Sequence, residues 1–372
     1  LGVPAAFVVA GEATVWPETT ATRGHTTAWH DTAEWHALEL GLRRVWRADL
    51  SPDDAAALAE AARKRGWAAL QGPKIAIDAR GLWSEQPDAT RVLLYVGPDA
   101  ADQARAAALE RATLALGASA DGVQSAEVDP AADNDAEMAE LLGYPLCCTR
   151  AFIDGHQHWR AADAGQIAEV AFFFARAADA TTAAGGVADR RLDFISPLVG
   201  ATAIRHYPCR LDCAASLALV AACDAAADRA GPAVALRRAA ARADAVIVFS
   251  DGAALPLRGE RATSTASRPA LRKPRPVLDA PVGWAPRWQQ LLDTIAPRVA
   301  AAAEVTAVEA DAGEGGIIAI NRADDRVTLR FDDDQPGFPR LVVYAAEPSA
   351  AQNEAVVETA ATQGLWLSDQ KR

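Results

Sequence analysis

The chain has 372 residues, of which 51% are hydrophobic, 6% aromatic and 23% charged; that balance is globular and excludes wholesale disorder. At roughly 150 residues per domain the length predicts two or three domains. Lysine and arginine number 37 against 49 aspartates and glutamates, a net charge of −12, which repels phosphate backbones and argues against a nucleic-acid binder.

No window reaches the ~18 uninterrupted apolar residues of a membrane helix. The most apolar short run, Val170 to Ala175, is followed by Arg176, so no membrane partner is expected. The stretch from Leu1 to Ala10 is apolar but lacks the basic start of a signal peptide. It opens on Leu rather than Met, as a chain with a trimmed leader would.

Taken in chain order, the first 130 residues predict an α/β unit. Ser51 caps a helix with Pro52 in its first turn and Asp53 and Asp54 behind it, ending at Gly66. Ile75 to Ile77 reads as a strand. Val92-Leu-Leu-Tyr-Val96 is continuously apolar, as in a strand buried on both faces. The Gly97-Pro98-Asp99 turn leads into a helix from Ala100 to about Leu116. Residues 131–258 predict a mainly helical unit, with helices at Asp135–Leu142, Pro145–Asp154, Gln166–Ala178, Pro208–Arg229 and Pro232–Ala243. A hairpin of Val246–Phe249 and Leu255–Leu257 closes it. Residues 259–282 are rich in Ser, Thr, Pro and Arg without apolar period, and predict an exposed linker. This is the one basic stretch of an acidic chain, so docking of an acidic partner is its alternative role.

Residues 283–372 predict a second α/β unit. It has a helix from Pro286 to Ala303, strands at Val305–Val308, Ile317–Ile320, Val327–Phe331 and Leu341–Tyr344, and a helix from Glu347 to Gly364. Ile75-Ala-Ile-Asp78 resembles Ile318-Ala-Ile-Asn321, and Leu93-Leu-Tyr95 resembles Val342-Val-Tyr344. The last unit is therefore a candidate duplicate of the first. The expected fold class is α/β, with a central, mainly helical cysteine-bearing domain between two small α/β units.

Four of the five cysteines fall in two short motifs. One is Leu142-Gly-Tyr-Pro-Leu-Cys147-Cys148-Thr-Arg-Ala-Phe152; the other is His206-Tyr-Pro-Cys209-Arg-Leu-Asp-Cys213-Ala-Ala-Ser216. In each, Tyr-Pro precedes Cys within three residues. Proline favours the first turn of a helix, so both motifs predict thiols near a helix N-terminus, where unpaired N–H groups favour the thiolate. Cys209 and Cys213, four apart, would share one helix face. Cys147 and Cys148 diverge by about 100° on a helix. That suits an iron–sulfur cluster, such as [4Fe–4S], better than one small ion. The zinc alternative usually shows C-x₂-C spacing, and this chain has C-C and C-x₃-C. Cys223, flanked by alanines, reads as a core residue.

This pair of motifs resembles the signature of an uncharacterised microbial family, domain of unknown function 483. The resemblance covers about Ala139 to Ser216. It implies that Cys147, Cys148, Cys209 and Cys213 act as one set and implies no established reaction.

His206 is a candidate fourth ligand or a hydrogen-bonded loop histidine. His156 and His158 are expected in a loop at the surface. His25, His30 and His36 lack a spacing that favours one face. Arg150, Arg205 and Arg210 flank the cysteines, where they could neutralise a thiolate cluster or an anionic substrate. No G-x-G-x-x-G, P-loop, H-E-x-x-H or G-x-S-x-G occurs. The leading expectation is a cytoplasmic metalloprotein. It holds an iron–sulfur cluster, or zinc, on Cys147, Cys148, Cys209 and Cys213 and serves redox or sulfur transfer with a redox or protein partner. The alternatives are a metal-free thiol oxidoreductase with Cys209 as nucleophile, and a non-enzymatic interaction protein.

Overall fold

A computed structural model describes residues 33–77, 83–118, 130–160, 166–194, 206–230, 243–249, 254–263, 269–276, 293, 296–297, 299–308, 317–322, 325–330 and 340–345. Helices and sheets are mixed, as the sequence predicts, and every strand pairing described is antiparallel.

The N-terminal sheet has the order β1-β4-β2-β3, with β1 Trp46–Leu50, β2 Ala68–Ile77, β3 Trp83–Glu85 and β4 Arg91–Gly97. Between β1 and β2 lies α2 (Pro52–Lys64), capped by the Ser51 hydroxyl, which accepts from the Asp54 N–H at 3.2 Å. Strand β4 is central and covered on both faces. Val92, Leu94 and Val96 turn towards α2 and the pair Trp35 and Trp46. Leu93 and Tyr95 turn towards α3 (Ala100–Ala118) and Leu141. The continuous apolar run is thus explained by helices on both sides, without parallel neighbours. Strand β1 carries the charges of Arg47 and Asp49, which hide it in the sequence. Inside the fold Asp49 is fully buried and takes the Arg91 guanidinium at 2.6 Å, and Arg47 pairs with Glu110.

A helical layer follows: α4 Pro130–Leu141, α5 Leu146–Arg160, α6 Gln166–Ala183 and α7 Ala214–Ala230. Helix α1 (Ala33–Glu39) and the turn after it pack on α7, Ala37 and Leu42 against Leu219 and Cys223. Gly155 of α5 sits where a Cβ would meet the Phe173 ring at 2.5 Å, so the missing side chain lets α5 and α6 close together. No helix among the described residues is long and apolar enough to cross a membrane.

The second sheet has seven strands in the order β10-β9-β8-β7-β6-β5-β11. They are β5 Ala245–Val248, β6 Ala254–Thr263, β7 Pro269–Pro276, β8 Glu304–Val308, β9 Ile317–Arg322, β10 Asp325–Arg330 and β11 Arg340–Val343. It curls enough to bring β11 back beside β7, β8 and β9. Val170, Phe174 and Ala177 of α6 pack on it with Leu211.

Two expectations fail here. Residues 259–263 and 269–276 are not a linker: they belong to β6 and β7, which pair in the middle of this sheet, Arg261 opposite Leu271. Ala270 and Leu271 are fully buried while Arg272, Lys273 and Arg275 face water. The polar composition therefore belongs to the exposed positions of a hairpin, with Ala270, Leu271 and Pro274 buried among them. Nor does the internal similarity extend to pairing. β2 and β4 are direct neighbours, whereas β9 and β11 are separated by β8, β7, β6 and β5. The helices expected at Pro232–Ala243 and Glu347–Gly364 lie outside the described residues, as does most of the one at Pro286–Ala303.

Helix α4 ends in the turn that presents the first cysteine motif. The Gly143 N–H donates to the Glu140 carbonyl (3.0 Å) and the Tyr144 N–H to the Ala139 carbonyl (2.8 Å), with Gly143 at φ +70°. This is the Schellman pattern, which favours glycine at that position. A Cβ there would also lie 2.2 Å from the Leu42 carbonyl oxygen. Gly143→Ala should cost about 2–4 kcal/mol in urea unfolding. Gly185→Ala has φ +68° but open space around it, and should cost only about 1 kcal/mol. Equal losses would contradict the close-approach account.

Candidate metal centre

The first motif starts α5 as the sequence predicts, one residue late. The Pro145 carbonyl accepts from the N–H groups of Cys148 (2.9 Å) and Thr149 (3.0 Å), so Pro145 is the N-cap. Cys147 and Cys148 are then the second and third helical residues.

The second motif departs from expectation. No helix begins at Pro208. Residues 206–213 form a loop, and α7 opens at Ala214 with Cys213 as its N-cap, its carbonyl accepting from the Leu217 N–H at 2.9 Å. Cys209 and Cys213 therefore do not stack on one helix face. The loop is held by Leu211, fully buried in the core of the seven-stranded sheet. Its N–H donates to the Thr181 hydroxyl (2.7 Å) and its carbonyl accepts from the Asp189 N–H (2.6 Å). Asp189 is fixed in turn by Arg191, through a buried bidentate pair. Those anchors fold the loop back so that Cys209 and Cys213 meet α5.

All four sulfurs lie within 4.8 Å of one another. Cys147 is 3.8 Å from Cys148 and 3.7 Å from Cys213, and Cys148 is 3.6 Å from Cys213. Cys148 and Cys213 are buried, Cys209 is half-buried and Cys147 is exposed. The cluster is able to hold a metal ion.

Backbone donors point at it. The Cys209 N–H reaches the Cys148 sulfur at 3.4 Å, and the Ser216 N–H, in the first turn of α7, reaches Cys213. Among the thiols, hydrogen bonds from Cys147, Cys148 and Cys209, joined by that of Ser216, hold Cys213 far below the ordinary thiol range. The bond with Cys148 also lowers Cys147. The same network pushes Cys148 up, chiefly through Cys147. It raises Cys209, again first through Cys147. One negative charge thus settles first at the start of α7, where the helix N-terminus favours an anion.

His206 is not among the clustered ligands. Its Nε2 is 2.7 Å from the Ser216 hydroxyl, which is 3.3 Å from the Cys148 sulfur. Burial, helped by Arg43, pushes the imidazole down to about 3, so it is neutral near pH 7. Its ring leans on Tyr144, whose other neighbour is the Arg43 guanidinium. The hydrogen-bonded reading of His206 therefore holds. Ser216, which closes the second motif three residues after Cys213, joins the site as the link between His206 and Cys148.

Arg210 pairs with Asp212 at 2.7 Å, and that carboxylate is the main cause of its raised pKa, with Cys209 and Cys213 adding to it. Arg150 is exposed on α5. Arg205, His25 and His30 lie outside the described residues, and the side chains of His36 and His158 are likewise undescribed. The backbone of His156 and His158 is in α5, not in a loop, and the His156 ring packs against Phe152 at a tilt of 42°. Cys223 is buried against α1 in a separate apolar cluster, roughly 15 Å along α7 from Cys213 at 1.5 Å per residue. Beside the cysteines, Tyr207 stacks on Phe173 at 4.6 Å with Phe152 and Phe194 around it, an aromatic wall that sequence spacing does not reveal.

No family model matches the chain, and neither a curated protein nor a solved structure matches it.

Ser216 is fully buried, and His206 Nδ1 has no hydrogen-bond partner among the described residues. Ser216→Ala would leave both ring nitrogens buried without a partner. It should destabilise the protein by about 1–3 kcal/mol in denaturant unfolding, with any bound metal retained, since the serine is not a ligand. Loss of metal in this variant would contradict the placement of Ser216 outside the ligand set.

Proposed function

We propose that the protein is a metalloprotein in which Cys147, Cys148, Cys209 and Cys213 hold one tetrahedral ion, with zinc as the fitting metal. The observation that carries this reading is the sulfur spacing: Cys147, Cys148 and Cys213 stand 3.6 to 3.8 Å apart, and the Cys209 sulfur lies within 4.8 Å of each of them. Four thiolates about 2.3 Å from one zinc ion stand about 3.8 Å apart along each edge of the tetrahedron. A cubane carries its ligands on four separate irons and spreads the cysteine sulfurs to about 6 Å. The spacing therefore supports a single ion over the iron–sulfur cluster that adjacent cysteines suggest in the sequence.

The chemistry of the surroundings supports the same reading. Four thiolates and a divalent ion leave two negative charges. The N–H groups of Cys209 and Ser216 and the N-termini of α5 and α7 offset them. With four protein ligands no coordination position is left open, which is the pattern of a structural ion. Such an ion ties the start of α5, the loop before α7 and the start of α7 into one joint. Those segments continue through α4 and α1 towards the four-stranded sheet and through Leu211 into the seven-stranded one. A reducing cytoplasm suits four unpaired thiols. The likeness to domain of unknown function 483 treats the same four cysteines as one set.

Metal and acid-labile sulfide assays on protein purified without oxygen test the proposal. One zinc per chain and no sulfide is the expected result; iron with equal sulfide, or no metal, would sink it. Cys213→Ser should lose the ion and lower the thermal midpoint, because a ligand that binds only the folded state stabilises it by mass action. Cys223→Ser should keep the ion and cost about 1–2 kcal/mol for a buried hydroxyl.

A further inference from the structure

The four ligands are not equivalent. Cys147 is exposed at the start of α5, whereas Cys148 and Cys213 are buried and Cys209 is half-buried. An oxidant or electrophile arriving from water therefore meets Cys147 first. A thiolate attacked there has two sulfurs within 3.8 Å, those of Cys148 and Cys213. Cys148 is its sequence neighbour, and adjacent Cα atoms lie about 3.8 Å apart across a trans peptide, closer than the roughly 4.4 Å at which disulfides normally begin. The backbone there is also fixed as helix by the Cys148 and Thr149 N–H bonds to Pro145. Cys213 has neither handicap: it sits on another element, 3.7 Å away.

We infer that Cys147 is an oxidative modification site, and that peroxide converts the centre into a Cys147–Cys213 disulfide with release of the ion. The inference rests on the metal reading above. In the first step the Cys147 sulfur attacks one peroxide oxygen. The S–O bond forms, the O–O bond breaks, and hydroxide leaves and is protonated by solvent, giving the sulfenic acid, whose hydroxyl proton comes with the transferred oxygen. In the second the Cys213 thiolate attacks the Cys147 sulfur, the S–S bond forms and a second hydroxide leaves. Two thiolates lose two electrons in all and one peroxide gains them. The ion keeps only Cys148 and Cys209 and dissociates, which unties the start of α5 from the start of α7.

The test uses the full-length, metal-loaded protein. It is titrated with hydrogen peroxide up to one equivalent and sampled by isotopic alkylation before and after reduction, while a chromophoric chelator follows the ion. Trypsin cleavage after Arg210 separates Cys209 from Cys213, and fragmentation within the Cys147–Cys148 peptide distinguishes those two. The expected result is a linked peptide joining Cys147 to Cys213, with about one ion released per disulfide. Cys209 should oxidise at least about fivefold more slowly. Early oxidation of Cys209 or Cys148, a Cys147–Cys148 bond, or a centre inert to peroxide would overturn the inference. Metal content measured beforehand separates the two failures. A protein without metal fails the metal reading, while a loaded protein that oxidises elsewhere or not at all fails only this inference.

Discussion

Four sulfurs gathered within 4.8 Å of one another create an electrostatic problem that the rest of the structure is arranged around. Two thiolates about 4 Å apart repel by roughly 4 kcal/mol at an effective dielectric of 20. Without a cation the group can therefore carry little more than one charge, and hydrogen bonds from the neighbouring thiols and from Ser216 direct that charge to Cys213. A divalent ion at the centre adds an attraction to each thiolate at a shorter distance than the thiolates lie from one another, which outweighs their mutual repulsion. The constraint is then geometric, because the chain must bring three separate segments to one point and hold them there.

Each segment is held by a different device. The Gly143 turn lays α4 down beside the chain at Leu42 and aims α5 at the centre. The loop before α7 is pulled into shape from the far side by Leu211, whose side chain lies in the core of the seven-stranded sheet and whose backbone is bound to Thr181 and Asp189. Helix α7 is pinned in its middle, at Leu219 and Cys223, by Ala37 of α1 and by Leu42 just beyond it. The joint therefore depends on both sheets, although it is built from a handful of residues between them. The buried line from His206 through Ser216 to Cys148 adds a polar support that keeps its own charge at zero near neutral pH.

The set of four cysteines was legible in the sequence because Tyr-Pro-x-Cys-Cys and Tyr-Pro-Cys both mark an abrupt start near a thiol. Their exact presentation was not. Proline before Cys209 resembles a helix start, but the tertiary pull on Leu211 overrides it and delays α7 to Ala214. Adjacent cysteines diverge on an ideal helix, yet at the second and third positions of α5 their sulfurs still come within 3.8 Å. The helices begun at Ser51 and at Ala100 followed their capping and turn signals, whereas α4 begins five residues before Asp135, α5 runs six beyond Asp154, and α1 had no signal in the sequence. The β6–β7 hairpin was hidden for a physical reason: Arg272, Lys273 and Arg275 are exposed, and of the buried residues between and beside them, Ala270, Leu271 and Pro274, only Leu271 is a large apolar residue. Strand β1 was hidden by Asp49, whose charge is acceptable inside only because Arg91 crosses from β4 to meet it. The aromatic wall around Tyr207 joins residues from α5, α6 and two loops, a convergence that local patterns cannot announce.

X-ray absorption at the metal edge tests the central claim most directly, because it measures the ligand shell itself. The account predicts a zinc edge with a single shell of four sulfurs at about 2.3 Å and no metal neighbour. An iron edge with bridging sulfides and a second iron near 3 Å, or a zinc shell containing nitrogen or oxygen in place of one sulfur, would contradict it.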